Sequence, residues 1–225
     1  MTVLKMMNDN YKKMAALAAK VKGFLAEDEG RALYEIALAA AGLGPCLEIG
    51  SFCGKSAVYI GAACRERSVT LFTIDHHRGS EEQQPGQLYF DPEIYDDKCG
   101  GINSLPLLRN TLRMAELEDT VIPMVTESSV AVRNWATPLS MIFIDGGHSY
   151  ETALADYRDW SLHLVQGGFL VFHDIYLDPA GGGQAPRQVY TKALDSGDFD
   201  ALPMVNTLGI LKKRHAVVVE KKVCC

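Results

Sequence analysis

The sequence predicts an α/β protein on a doubly wound, mostly parallel seven-stranded sheet with helices on both faces, preceded by N-terminal helices. Two observations carry this. From Pro45 onward, short apolar or β-branched runs alternate with stretches of helical spacing, the pattern of βα units whose parallel strands are covered on both sides. A glycine-rich turn, Gly50-Ser-Phe-Cys-Gly54, follows the first apolar run, where such sheets open onto a ligand.

Residues Lys5 to Gly42 are rich in Ala, Leu, Lys and Glu and contain no proline, which reads as two helices broken near Glu27 to Gly30. Cys46–Ile49 is the first strand, Lys55–Arg65 a helix and Val69–Ile74 the second strand. Leu105–Ala115 continues as helix, Val121–Val125 as strand, Ser128–Trp135 as a short helix and Met141–Ile144 as strand. In Tyr150–Leu164 the residues Tyr150, Leu154, Tyr157 and Leu164 recur at helical spacing. Phe169–Phe172 is the fifth strand. Arg187–Ser196 reads as helix, and Met204–Leu211 with Ala216–Val219 as extended runs that close one edge, an antiparallel one. Residues 76–104 hold glycines, prolines and many acids without a sustained period. That is long for a loop inside a compact domain and reads as a lid or substrate loop. The chain is read as one domain, 1–225, with 1–42 as a helical extension.

Apolar residues make up 48% and charged residues 22% of the 225, an ordinary globular balance. No apolar run approaches the roughly 20 residues that span a bilayer, and the N-terminus lacks the build of a signal peptide. A net charge of −6 argues against nucleic acid as partner, because backbone affinity there comes from Lys and Arg. The six cysteines form no CxxC pair and read as reduced thiols, which favours the cytoplasm. The Cys224-Cys225 tail reads as a solvated end. The Ala-rich N-terminal helices either cover the site or form a dimer face, so a homo-oligomer stays open.

The first βα turn carries the chemistry. Gly50 and Gly54 permit a sharp turn and close approach to the main chain, Ser51 and Phe52 lie between them, and the helix that begins near Lys55-Ser56 directs its free N–H groups at a bound anion. Glu48 is a carboxylate where an apolar residue is expected, so it either meets a cation or is buried at a cost; a ligand's α-ammonium is a natural partner. Asp75, at the tip of the second strand, stands where an acid holds ribose hydroxyls. The spacing E-x-G-x-x-x-G-x-S differs from the dinucleotide pattern G-x-G-x-x-G. Together these residues describe an amino-acid nucleoside.

The segment Leu47-Glu-Ile-Gly-Ser-Phe-Cys-Gly-Lys-Ser56 resembles the first motif of class I S-adenosylmethionine-dependent methyltransferases, especially the catechol O-methyltransferase group, over most of Pro45 to Asp174. Asp75-His-His-Arg-Gly-Ser80, Phe143-Ile-Asp-Gly-Gly-His-Ser-Tyr-Glu151 and Gly167-Gly-Phe-Leu-Val-Phe-His-Asp174 resemble a bacterial branch of that superfamily whose substrates are mostly unassigned. The resemblance implies a Rossmann-like methyltransferase fold and S-adenosylmethionine as cofactor. It implies that Asp75 binds the ribose, Ser56 meets the methionine carboxylate, and Glu127 with Ser128 marks the adenine pocket. His76 and His77, beside Asp75, read as covering the adenosine.

Asp145 follows the fourth strand and His173-Asp174 the fifth, so they share the rim with the cofactor turn, and Asp145 borders the cofactor as well. His148 lies three residues beyond Asp145. Asp145, His173 and Asp174 suit a divalent metal, Mg²⁺ or Mn²⁺, or equally a metal-free acid/base set. In metal-dependent relatives the acids matching Asp145 and Asp174 hold a cation that activates a substrate hydroxyl. Their third ligand falls at Ile175, which has no donor atom, so a cation here draws on His173 or His148. The catechol enzymes place a lysine base near His148, and an imidazole there accepts a proton near neutral pH. The implied reaction is in-line methyl transfer to a small molecule, oxygen first and nitrogen next, with Asp145, His148 and Asp174 as catalytic residues. Tyr89, Phe90, Tyr95 and Tyr176 are wall candidates. The rival readings are an NAD-dependent oxidoreductase and a non-catalytic S-adenosylmethionine-binding module.

Overall fold

The computed structural model describes residues 3–147 and 149–215. In chain order it holds α1 (Val3–Ala18), α2 (Glu27–Ala40), β1 (Cys46–Ile49), α3 (Lys55–Glu66), β2 (Leu71–Ile74), β3 (Tyr95–Asp96) and β4 (Gly101–Ile102). There follow α4 (Leu105–Met114), β5 (Val121–Met124), α5 (Ser128–Ala131), β6 (Leu139–Ile144), α6 (Tyr150–Trp160), β7 (Leu164–Phe172), α7 (Ala185–Asp195), β8 (Phe199–Ala201) and β9 (Gly209–Lys213).

Seven strands form one sheet in the order β5-β2-β1-β6-β7-β9-β8. Pairing is parallel from β5 to β7 and antiparallel for β9 and β8, so the expected antiparallel edge is present. The order reverses between β1 and β6, the switch point at which such sheets bind ligands. Register sets what faces that point. Ile49 pairs with both Ile74 and Ile144, and Ile144 pairs with Phe172. Gly50, Asp75, Asp145 and His173 are therefore each the first residue past an aligned strand end, and all stand on one rim.

Alternation along the central strands splits the core into two layers. Cys46, Met141 and Phe143 face α2 and α3, among Leu33, Ala57 and Ile60. Leu47, Ile49, Ile142 and Ile144 face the opposite layer, with Tyr157, Trp160 and Val189 of α6 and α7. At about 25 cal/mol per Å² of buried apolar surface, this double coverage is the main stabilising contribution.

Three segments differ from expectation. The break between the first two helices lies at 19–26, not at 27–30. Glu27, Asp28 and Glu29 form the first turn of α2, where acids complement the helix dipole; an acidic run followed by glycine reads as a break only when that role is overlooked. The expected strand Met204–Leu211 begins only at Gly209, because Asn206 takes a left-handed conformation (φ 52°) and Val205 bridges Leu208 in a tight turn. β8 is a strand of the main sheet that was not foreseen. The Ala216–Val219 run and the Cys224-Cys225 tail lie outside the described residues.

Residues 76–104 are folded rather than irregular. Two short 3-10 turns, Glu81–Gln83 and Pro92–Ile94, lead to the β3–β4 pair. The neck is tied where His77 Nδ1 meets Ser104 Oγ at 2.8 Å and Ser104 N–H donates to the His77 carbonyl. Among the described residues no helix is long and apolar enough to cross a membrane.

Candidate active site

The rim is built outward from β1. Gly50 has φ 97°, and a Cβ on it would lie 2.1 Å from the Asp145 carbonyl oxygen. Only glycine lets the β1–α3 turn rest against the end of β6. Gly54 caps α3 in a left-handed conformation (φ 90°), which turns the head of the helix toward the rim. Phe52 and His77 also have positive φ. Both are fixed by Asp75, whose carboxylate accepts the Phe52 N–H at 2.8 Å and the His77 N–H at 2.7 Å. Backbone strain of this kind persists only where surrounding bonds over-determine it.

Glu48 is fully buried beneath the turn. Thr73 donates its hydroxyl to Glu48 Oε2 and lies 2.7 Å from Ser51 Oγ, while Ser56, itself buried, bonds the same carboxylate. Glu48 Oε1 has no partner. Burial pushes this carboxyl up to about 7 against the pull of the Ser56 and Thr73 bonds, with Asp145 and Asp75 adding repulsion. A carboxylate so placed favours a positive charge beside it.

Toward β5, His76 Nε2 stands 3.9 Å from Glu127 Oε1. Ser128 donates to Asp156 of α6, a buried carboxyl raised by burial to about 6. His77 is buried, and burial pushes its pKa down. It anchors the loop neck instead of facing the rim.

The other half of the rim centres on His173, which is almost wholly buried. Its Nδ1 lies 2.9 Å from Asp145 Oδ1 and 3.6 Å from Asp174 Oδ2; its Nε2 lies 3.2 Å from Glu29 Oε2. Burial opposes a charge on the ring, but Asp145, Glu29 and Asp174 outweigh it and hold the imidazolium up to about 11. Asp174 has φ 58° and accepts the Tyr176 hydroxyl at 2.9 Å. The ligand atoms of Asp145, His173 and Asp174 lie within 4.8 Å of one another. Two part-exposed carboxylates and, once it gives up its Nδ1 hydrogen, one imidazole nitrogen make a donor set that can hold a divalent cation, the imidazole suiting Mn²⁺ better than Mg²⁺. Ile175 is buried in the core with its N–H on the Thr207 carbonyl, so its position adds nothing to such a set.

Above the turn, the Phe24 ring stacks 6.4 Å from Phe52 and meets Tyr89 edge-on at 5.3 Å. Lys22 pairs with Asp91 and Glu93, tying the segment before α2 to the 76–104 loop. Of the expected wall residues, Tyr89 and Tyr176 flank the rim, whereas Phe90 and Tyr95 pack on each other. His148 lies outside the described residues.

Sequence reasoning did not find Glu29, Phe24, Lys22 or Asp156. Glu29 had one visible signal, an acid three residues into a helix, but its partner His173 is 144 positions away.

The fold is a doubly wound α/β sheet, and this rim stands at its switch point, where such sheets bind ligands. Residues 47–175 match the family described as "Methyltransferase domain", and the chain belongs to that family. It is a class I S-adenosylmethionine-dependent methyltransferase, which sets aside the NAD-dependent oxidoreductase and the non-catalytic module. Solved structures agree on the fold. The O-methyltransferase NovP superposes with a TM-score of 0.71 at 11% identity, covering 93% of this chain and 98% of that one. TomG from Streptomyces achromogenes, an O-methyltransferase of tomaymycin synthesis solved with S-adenosylmethionine, gives 0.59 at 16% identity over 92% and 90%. The O-methyltransferase from Bacillus cereus, solved with S-adenosylhomocysteine, gives 0.59 at 14% over 91% of each chain.

Proposed function

We propose that the protein transfers a methyl group from S-adenosylmethionine to an oxygen of a small molecule, with a divalent cation, Mg²⁺ or Mn²⁺, held by Asp145, His173 and Asp174. The observation that carries this reading is the aligned rim, which sets Gly50, Asp75, Asp145 and His173 side by side at the ends of four neighbouring strands.

On this reading the cofactor lies across the switch point. The head of α3 and Ser56 take its carboxylate, Glu48 faces its ammonium, and Asp75, which still has a lone pair on each oxygen, takes the ribose. Gly50, Ser51, Phe52 and Gly54 supply main chain to the amino-acid end, Asp145 borders it, and His76, Glu127 and Ser128 surround the adenine. When bound, S-adenosylmethionine supplies a methyl made electrophilic by its sulfonium, and the cation supplies a charge that lowers the pKa of a hydroxyl.

The residues of the chain orient and deprotonate. Asp145 and Asp174 fix the reacting end, and orientation carries much of the rate. Their oxygens are held in place by His173 and the Tyr176 hydroxyl. His148 follows Asp145 by three residues, and we assign it the general base. The exposed apolar side chains of Phe24, Leu88, Tyr89 and Leu177 support an acceptor with an apolar or aromatic body, and residues 76–104 serve as its lid. The four described cysteines are free thiols, which supports a cytoplasmic setting.

The test is a screen of small hydroxy and amino compounds with S-adenosylmethionine and Mg²⁺, read by mass spectrometry as the gain of one methyl. Hydroxyl acceptors are expected to react, and transfer to amines alone would overturn the oxygen assignment. Loss of transfer in Asp145→Ala, His148→Ala and Asp174→Ala supports their roles; undiminished transfer removes the residue concerned.

A further inference from the structure

The helical segment ahead of the sheet contributes one side chain to the reacting half of the rim. Glu29 of α2 is almost wholly buried, and its carboxylate accepts four hydrogen bonds. Oε2 receives the Ala26 N–H at 3.0 Å and stands 3.2 Å from His173 Nε2. Oε1 receives the Thr207 N–H at 2.9 Å and the Thr207 hydroxyl at 2.6 Å. It thus joins α2, the end of β7 and the turn before β9.

An ionised carboxylate only accepts hydrogen bonds. The hydrogen between Glu29 and the ring must then sit on His173 Nε2; Nδ1 faces Asp145 and Asp174, and without a cation it carries a second hydrogen toward Asp145 at 2.9 Å, the one that a cation would displace. Metal-binding histidines are oriented this way by a carboxylate on their far nitrogen, which fixes the tautomer and strengthens the ligand.

We propose that Glu29 is a positioning residue for the cation site: it holds His173 with Nε2 protonated, so that Nδ1 faces the cation between Asp145 and Asp174. This rests on the reading of those three residues as a cation site. Glu29 touches neither substrate nor cation on this account and acts through His173. The competing role is a purely structural clamp, since the Ala26 and Thr207 bonds hold α2 to the sheet without the imidazole.

Mn²⁺ binding to the full chain saturated with S-adenosylhomocysteine separates the two. Electron paramagnetic resonance counts free Mn²⁺ for wild type, Glu29→Gln, His173→Gln, the double variant and Thr207→Val. Glu29→Gln is expected to weaken Mn²⁺ by about tenfold or more, and the double variant to bind no more weakly than His173→Gln alone, because coupled residues are non-additive. Thr207→Val, which removes a clamp bond but not the ring's partner, is expected to lower the Tm and to leave Mn²⁺ affinity within about twofold.

Wild-type binding with Glu29→Gln unchanged, or with fully additive losses, overturns the role of Glu29 and leaves the cation site standing. No Mn²⁺ binding by wild type overturns both. Should Glu29→Gln not fold, ¹⁵N-histidine NMR of the Mg²⁺-loaded wild type decides, with the His173 signal assigned by its loss in His173→Gln. Protonated Nε2 with bare Nδ1 supports the proposal, and the reverse tautomer overturns it.

Discussion

Glu48 and Glu29 are two buried glutamates on one rim, and they are held in opposite states. Glu29 receives four donors, one of them the His173 ring, and these bonds outweigh burial and hold its carboxyl down to about 2. Glu48 receives only hydroxyl donors, keeps one oxygen without a partner, and burial carries it up to about 7. Burial alone does not decide the charge of a carboxylate; the count and charge of its partners do. The rim accordingly has two electrostatic halves. Glu29 already has a cationic partner within the protein, while Glu48 has only hydroxyl partners among the described residues.

Removing a satisfied group and removing an unsatisfied one should have opposite consequences. Glu29→Ala strips His173 and Thr207 of a buried anionic partner, and breaking such a pair costs about 3–5 kcal/mol; urea unfolding at pH 7 is expected to show a loss of that size. Little or no loss would mean that the pairing with His173 contributes nothing to the fold.

Glu48→Gln should act the other way in the ligand-free protein. The Glu48 carboxyl is raised in the folded state, so its contribution to stability is fully present below about pH 4.5 and is lost as pH rises through about 7. The glutamine lacks this loss. The variant should gain on wild type between pH 5 and 8, approaching about 3 kcal/mol, and should bind S-adenosylhomocysteine less tightly. A pH-independent difference between the two proteins would contradict the assignment.

How much of this was legible in the sequence follows the same division. The residues read as the cofactor end lie in one contiguous segment, Leu47 to Ser56, with Asp75 one strand further on, so local spacing was enough to set them on one rim. The parallel sheet was legible because alternating apolar runs fall at strand length. Glu29 was not, because what distinguishes it from Glu27 and Asp28 is a contact with His173 made only in the folded chain. The break between α1 and α2 was misplaced for a related reason: the same acids that suggested an interruption are the first turn of α2. The 76–104 loop lacked period because its order comes from turns and one short β pair.

Asp75→Asn tests the cofactor half more gently. Phe52 and His77 bond separate oxygens of Asp75, so asparagine keeps an acceptor for only one of the two N–H groups while the charge is lost, and hydrogen bonds to charged groups exceed neutral ones by about 1–2 kcal/mol. S-Adenosylhomocysteine affinity is expected to fall about tenfold by calorimetry, with a modest loss of Tm from the N–H group left without its acceptor. The smallest effect belongs to Lys22→Ala. Its pairs with Asp91 and Glu93 are solvent-accessible and contribute under about 1 kcal/mol. Proteolysis within 76–104 should quicken while the Tm hardly moves, and an unchanged rate would separate Lys22 from the loop's closure.

The most direct measurement is calorimetric titration of the intact protein with S-adenosylhomocysteine, alongside NAD and the Asp75→Ala variant. Saturable one-to-one binding of S-adenosylhomocysteine is expected, weakened about tenfold or more in Asp75→Ala, with no heat from NAD. Binding that is absent, or equal in the variant, would contradict a cofactor site at the rim where Gly50, Asp75 and Asp145 meet.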